Sequence, residues 1–84
     1  MPPDVYDLEV PDFALVKLGR RNISAVEALQ VRWNDPEERA NPRSPRSRNR
    51  KLLLGETDGG RRLTLVIEST ADPTAWIVIA GWDT

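Results

Sequence analysis

Two runs of residues near the C-terminus alternate between apolar and polar side chains at the period of a β-strand. Residues 51–56 lead into the turn Thr-Asp-Gly-Gly, and residues 62–69 return from it. On the second run, Leu63, Leu65 and Ile67 share one side, because successive side chains of a strand point to opposite faces. The pattern predicts a β-hairpin, with Gly59 and Gly60 supplying the tight turn.

A third strand is predicted over residues 76–82, after a turn at Ala-Asp-Pro-Thr. Regular alternation places one set of side chains on one face and leaves Ile77 and Ile79 on the other. The first set is Trp76, Val78, Ala80 and Trp82. Because both faces are apolar, we expect this strand inside the sheet rather than at its edge.

The N-terminal part alternates apolar and acidic residues over residues 5–10, which is typical of an exposed edge strand. Pro11 and Asp12 then break the alternation. Asp12 is predicted to N-cap a short helix that runs through Leu18, with Gly19 as its C-terminal stop.

A second helix is marked by a capping box. Ser24 and Glu27 have the S-x-x-E spacing, in which each side chain binds a backbone N–H that the helix start leaves unpaired. The helix should end near Asn34, because Pro36 pushes the residue before it out of the α region. An apolar stripe at helical spacing is expected to pack against the sheet: Val26, Leu29 and Trp33.

Residues 34–49 contain three prolines and almost no apolar side chains, so an extended, flexible loop is predicted there. The whole chain, residues 1–84, then forms a single domain. Its predicted order is β-α-α-β-β-β. This is an α+β fold in which two helices lie on one face of a small antiparallel sheet.

The composition restricts the chemistry. The chain contains neither cysteine nor histidine, so the usual zinc ligands and the usual neutral-pH proton shuttle are absent. We therefore expect no metal and no cofactor. No run of about 18 apolar residues that would span a membrane is present, and the acidic start does not resemble a signal peptide. A cytoplasmic location is the corresponding expectation.

The formal net charge of −1 hides a strong segregation of charge along the chain. Residues 1–16 hold four acids and no base, whereas residues 42–51 hold five bases and no acid. A local basic segment of this kind binds phosphates by releasing their counterions. Four arginines of the loop are spaced by serine and proline and are predicted to form a flexible RNA-binding arm: Arg43, Arg46 and Arg48, with Arg39 upstream. A purely solubilising loop is the alternative.

Two segments resemble those of BrnT-like toxins, which belong to the RelE superfamily of toxin–antitoxin ribonucleases. RRNISAVEA at residues 20–28 resembles the family's K-H-G-V-S-x-x-E-A. RKLLLGETDGGRRL at residues 50–63 resembles R-x-x-x-x-G-R-[ST]-x-x-G-R-x-L, and WIVIAG at residues 76–81 resembles the last strand. The resemblance covers residues 17–81 apart from the loop.

The resemblance implies a RelE-like fold, metal-free cleavage of RNA and inhibition by an antitoxin-like protein. Carried over position by position, it assigns the catalytic roles to Arg50 and Arg61, which would hold and stabilise the scissile phosphate. Glu56 is a candidate base. The auxiliary RNA-binding cations would be Arg21, Lys51 and Arg62.

A second interpretation is a non-enzymatic interaction module on the same fold, which binds an antitoxin-like protein or a nucleic acid. Glu56 stands where the family has arginine, and the arginine expected after the last strand is missing, so the site is less positive than in the family. Trp82 is the candidate partner anchor, whereas Trp33 and Trp76 are predicted to be core. The N-terminal edge strand offers a place for pairing in a homodimer.

Overall fold

The computed structural model describes residues 7–40, 49–72 and 74–84. Within them lie two helices and five strands. The helices are α1 (Asp12–Gly19) and α2 (Ala25–Trp33). The strands are β1 (Asp7–Glu9), β2 (Glu37–Ala40), β3 (Arg50–Glu56), β4 (Arg62–Ser69) and β5 (Ala75–Asp83). The α+β class predicted from the sequence is confirmed. No helix in these ranges is long and apolar enough to cross a membrane.

The five strands form one mixed sheet in the order β1-β5-β4-β3-β2. The β3–β4 hairpin and the β4–β5 pair are antiparallel, as expected, but β1 pairs in parallel with β5. The wholly antiparallel sheet of the sequence prediction is therefore wrong. β1 does lie at an edge of the sheet, as its alternating acidic pattern indicated.

Strand β2 lies inside the segment that was predicted to be a loop. Its four residues, Glu-Glu-Arg-Ala, pair antiparallel with residues 51–54 of β3. Its side chains are mostly exposed, because β2 is the other edge of the sheet and needs few apolar residues. The pattern of hydrophobicity therefore gave no signal for it. The rest of the predicted loop, residues 41–48, lies outside the described residues.

The core joins alternate positions of β4 to residues of both helices. Leu63, Leu65 and Ile67, which were predicted to share one side, have no exposed surface, and Thr64 and Val66 on the other side are also buried. From α1 and α2, the same cluster contains Leu18, Ala28 and Val31. Burial of such side chains supplies about 25 cal/mol per Å² of apolar surface.

Helix α2 begins and ends where the sequence predicted, but it buries a different face. The Ser24 side chain accepts a hydrogen bond from the Glu27 backbone N–H (3.1 Å), and the Glu27 carboxylate accepts one from the Ser24 N–H (3.1 Å). Ala28 and Val31 are buried, whereas Val26 and Trp33 are 62% and 71% exposed. The prediction that Val26 and Trp33 belong to the core is wrong.

Small residues explain which face of α2 is buried. A Cβ at Gly55 of β3 would lie 3.1 Å from Val31 Cγ1, so the missing side chain lets α2 approach the strand closely. Ala28, on the buried face of α2, has a side chain of only one methyl group and is fully buried. A face that carried Trp33 would hold the helix further from the sheet. The close packing of small residues therefore outweighs the larger apolar area of the predicted stripe.

Helix α1 also packs closely on its strand, β5, because a glycine lies at the contact. A Cβ at Gly81 would lie 2.9 Å from Leu18 Cδ2 and 2.8 Å from Leu65 Cδ2. Asp12 is the first residue of α1 rather than its N-cap, and Pro11 takes the N-cap position. The predicted capping role of Asp12 is therefore wrong, although the helix and its end are close to those expected.

A β-bulge in β5 changes the faces that regular alternation predicted. Val66 pairs with Ala80 and Ile67 with Val78, so the intervening Ile79 has no partner in β4. Such an extra residue reverses the side of every later side chain relative to the earlier ones. Trp82 therefore does not share a face with Trp76. Trp76 packs against the core, as predicted.

Candidate functional site

Arg61 immediately precedes β4 and forms hydrogen bonds with β5, with the turn before α2 and with α2 itself. Its Nε and one terminal nitrogen hold both oxygens of Asp83 at 2.7 and 3.0 Å. The other terminal nitrogen donates to the Asn22 carbonyl at 2.7 Å and to the Glu27 carboxylate at 3.2 Å. The Arg21 carbonyl accepts the remaining bond at 3.0 Å. All five guanidinium N–H groups therefore have partners within the chain.

This network changes the acidity of its members. The Arg61 hydrogen bonds hold the pKa of Asp83 below its ordinary value. The pKa of Glu27 is also lowered, first by the hydrogen bond from the Ser24 backbone N–H and then by Arg61. The hydrogen bond to Asp83, with further support from Glu27, raises the pKa of Arg61 above its ordinary value. Each group is thus more firmly charged than it would be alone.

Arg50 lies at the opposite end of the hairpin from Arg61. It pairs in register with Glu68 and forms an ion pair with it, Nε to Oε1 at 3.0 Å. Along β3, six residue steps separate Arg50 from Glu56, which pairs with Arg62 beside the turn. At ~3.3 Å per residue this is about 20 Å. The described structure does not bring the two predicted catalytic arginines together.

The other predicted residues are also dispersed. Glu56 and Arg62 are exposed, and they line a cavity of about 440 Å³ that also contains Glu37 and Arg39. Lys51 lies over the Trp76 ring, with its ammonium 4.2 Å from the ring centre, and forms an ion pair with Glu38. The predicted arm residues Arg43, Arg46 and Arg48 lie outside the described residues. Arg39 does not belong to a flexible arm, because it lies in β2 and forms an ion pair with Glu37.

A different set of cations converges where α1 ends beside β5. Lys17 is in the last turn of the helix, Arg20 is its C-cap and Arg21 follows. Together with Trp82, these three side chains line a concave cavity of about 590 Å³, which Ala80 and Gly81 complete. Trp82 is 36% exposed there. Within residues 7–40, 49–72 and 74–84, none of the residues that line it carries a carboxylate.

The fold explains why this cavity lies at an edge of β5. Strand β1 pairs with β5 only along residues 75–77. In the described part of the chain, the rest of β5 has a strand on its β4 side alone. Helix α1 packs against this part of β5 through Gly81, which brings the three cations beside Trp82.

Asp83 is the nearest acidic residue in sequence to this cavity, and Arg61 holds both oxygens of its carboxylate. Arg61 shares its positive charge between Asp83 and Glu27, and the positive charge of Arg21 further lowers the pKa of Asp83. The cavity therefore keeps its positive character in spite of an acidic neighbour.

Sequence reasoning identified Arg21 and Trp82 but missed Lys17 and Arg20. The i, i+3 spacing of Lys17 and Arg20 places them on one side of a helix end, and this was the available signal. Bases are also common in a last helical turn for the sake of the helix dipole. Only the packing of α1 on β5 brings them to Trp82.

Comparisons of the chain with protein-family models, with curated proteins and with solved structures find no match. Among the described residues, no group of three or more acidic side chains is placed to hold a metal ion.

Proposed function

We propose that the chain is a nucleic-acid-binding module that holds phosphates without cleaving them. The observation that carries this proposal is the convergence of Lys17, Arg20 and Arg21 with Trp82 around one cavity, which no carboxylate of the described residues lines. Cations that converge on a concave surface bind the phosphate backbone, and an aromatic side chain among them adds contact with bases.

The positions of the family-like arginines support binding rather than cleavage. Metal-free cleavage would need Arg50 and Arg61 on one scissile phosphate, but they lie at opposite ends of the hairpin. Arg61 also donates all its N–H groups to protein acceptors, among them Asp83 and Glu27. To contact a phosphate it would first have to break these bonds.

The fold proposed with this function is the RelE-like one, with both helices on one face of the sheet. The shared core cluster supports it, because Leu18 of α1 and Val31 of α2 both pack with the buried side of β4. The additional strand β2 and the parallel β1 are departures from the order that the resemblance implied.

A salt titration tests the proposal. With a labelled single-stranded RNA of about 20 nucleotides, three phosphate contacts predict a slope of about −2 for log K against log salt concentration, at ~0.7 per contact. Arg20→Ala should lower affinity and make the slope shallower by about 0.7. Arg39→Ala removes the same charge from an exposed ion pair with Glu37, away from the cavity, and should change neither quantity.

Equal effects of Arg20→Ala and Arg39→Ala would show that binding depends on overall charge and not on this cavity. Circular dichroism of both variants checks that the fold is retained. RNA that does not bind at low salt would contradict the proposal outright.

Exposed apolar residues on α2 favour a second candidate function, the binding of an antitoxin-like protein. Val26 and Trp33 lie seven residues apart on the helix and are mostly exposed, and Leu29 between them is half-buried. A stripe at this spacing is the pattern by which helices bind other proteins, and exposed tryptophan is a frequent anchor.

Co-purification with the product of a neighbouring gene tests this candidate. Trp33→Ser should reduce recovery of the complex by tenfold or more, since a central anchor contributes ~2 kcal/mol or more. Phe13→Ser, which removes another exposed aromatic from α1, is the matched control. A complex that tolerates Trp33→Ser as well as Phe13→Ser would rule out the α2 stripe.

A further inference from the structure

The cavity contains an aromatic side chain, Trp82, besides its three cations, and this side chain indicates which class of ligand the cavity binds. Trp82 follows the β-bulge at Ile79, and its side chain therefore leaves the core side of the sheet. It lines the same cavity as Lys17, Arg20 and Arg21, and about a third of its surface is exposed. A large indole is thus held beside three cations and remains open to a ligand.

We infer that this site takes single-stranded rather than duplex nucleic acid, with one base stacked on the Trp82 indole while the cations hold the adjoining phosphates. This inference rests on the proposed function and specifies its ligand. Single-strand binders combine a basic groove with an aromatic side chain on which a base stacks, and every base has a face for such stacking.

The chemistry separates the two ligand classes. In a duplex, the faces of the bases are covered by their neighbours, and only base edges are accessible in the grooves. Cation–phosphate contacts are available in both forms, so they do not discriminate between them. Contact with the Trp82 face is available only to an unpaired base. The preference for single strands should therefore depend on Trp82, whereas the salt dependence should depend on Lys17, Arg20 and Arg21.

The dimensions and charge of the cavity agree with this ligand. A volume of about 590 Å³ is within the ~300–1,000 Å³ range of small-ligand sites, which suits one nucleotide with its phosphate. Asp83, next to Trp82 in the chain, would repel a phosphate if it were unpaired. Arg61 holds both of its oxygens and so reduces that repulsion.

The test compares a labelled 12-nucleotide RNA with a duplex of the same sequence by fluorescence anisotropy. We expect the single strand to bind at least about tenfold more tightly. Trp82→Ala should weaken single-strand binding by about tenfold, since a stacked base contributes roughly that factor. Trp82→Phe keeps an aromatic face and should retain most of the affinity. Quenching of tryptophan fluorescence by the RNA should occur in the wild type and be largely lost in Trp82→Phe.

The outcomes separate this inference from the function on which it rests. Equal affinity for single strand and duplex, or a Trp82→Ala variant that is folded by circular dichroism and binds like the wild type, would overturn the stacking inference. In either case, a loss of affinity in Arg20→Ala would leave the proposed function intact. If neither form of RNA binds, both the inference and the proposed function fail.

Discussion

At the scale of single residues, Arg61 shows how a side chain suited to phosphates can be used inside a protein. The planar guanidinium matches a carboxylate as well as it matches a phosphate. Here it binds Asp83 through two bonds and also reaches Glu27 and the turn before α2. Asn22 of that turn has φ 57°, a left-handed conformation that asparagine tolerates better than most residues. Its carbonyl accepts from Arg61.

The network predicts a loss of stability in acid. Because the pKa values of Asp83 and Glu27 are lowered in the folded state, their contribution is fully present above the unfolded values, near pH 4, and is lost as pH falls through the folded values. Thermal unfolding should therefore show a lower midpoint at pH 3 than at pH 7. Asp83→Asn should lower the midpoint at pH 7 and reduce the difference between the two pH values.

The control for this prediction is Asp58→Asn, at the β3–β4 turn. Its carboxylate accepts a hydrogen bond from the Asn34 amide and forms no ion pair with an arginine of the described residues. It should leave the pH dependence of the midpoint close to that of the wild type. An Asp83→Asn variant with the full wild-type pH dependence would show that the Arg61–Asp83 pair does not couple to folding.

At the scale of elements, glycines decide how closely the two helices approach the sheet. Gly81 admits Leu18 from α1, and Gly55 admits Val31 from α2. Neither glycine is needed for a positive φ, since Gly60 in the hairpin turn (φ 84°) is the described glycine that adopts one. The packing of α1 matters for function, because it brings Lys17 and Arg20 to Trp82.

Gly81→Ala tests this packing. The added Cβ would lie under 3.0 Å from two fully buried leucine side chains, so the core must shift. We expect a loss of about 1–3 kcal/mol in the free energy of unfolding by urea, together with weaker RNA binding. Gly19→Ala at the end of α1 meets no atom within 4 Å and should be neutral or stabilising by about 0.4–1 kcal/mol. Equal stability of the two variants would contradict the role given to Gly81.

The elements that depend on local signals were predictable from sequence, and those that depend on distant partners were not. The capping box fixed the start of α2, and Pro36 its end. Strand β2 is polar because it lies at an edge, so its residues carry no hydrophobic pattern. The parallel pairing of β1 and the bulge at Ile79 are set by contacts across the sheet. The bulge also explains why the faces of β5 were mispredicted after Val78.

The candidate site was likewise predictable from sequence only in part. Arg21 and Trp82 were named from local sequence, but their neighbours Lys17 and Arg20 join them only through the packing of α1 on β5. The opposite holds for Arg50 and Arg61. Their sequence pattern indicated a shared site, whereas antiparallel register places them at opposite ends of one hairpin. A sequence pattern that spans a hairpin says little about distance unless the register is known.

At the scale of the whole molecule, charge is arranged into regions with different uses. Carboxylates pair with arginines across the β3–β4 ladder at Arg50–Glu68, along β2 at Arg39–Glu37, and in the Arg61 network. In the part of the chain that the structure describes, the cavity between α1 and β5 is lined by three bases and no acid. A chain with a net charge of −1 therefore still presents one locally positive concave surface, where a polyanion is attracted without a globally basic protein.

We propose that the protein binds RNA and leaves it intact. The most direct measurement incubates the purified chain with a labelled single-stranded RNA in EDTA, and follows binding by anisotropy and RNA length on a denaturing gel. We predict salt-sensitive binding, weakened in Arg20→Ala, with the RNA remaining at full length. RNA fragments that the wild type produces and the Arg50→Ala variant does not would contradict the account and restore the ribonuclease interpretation.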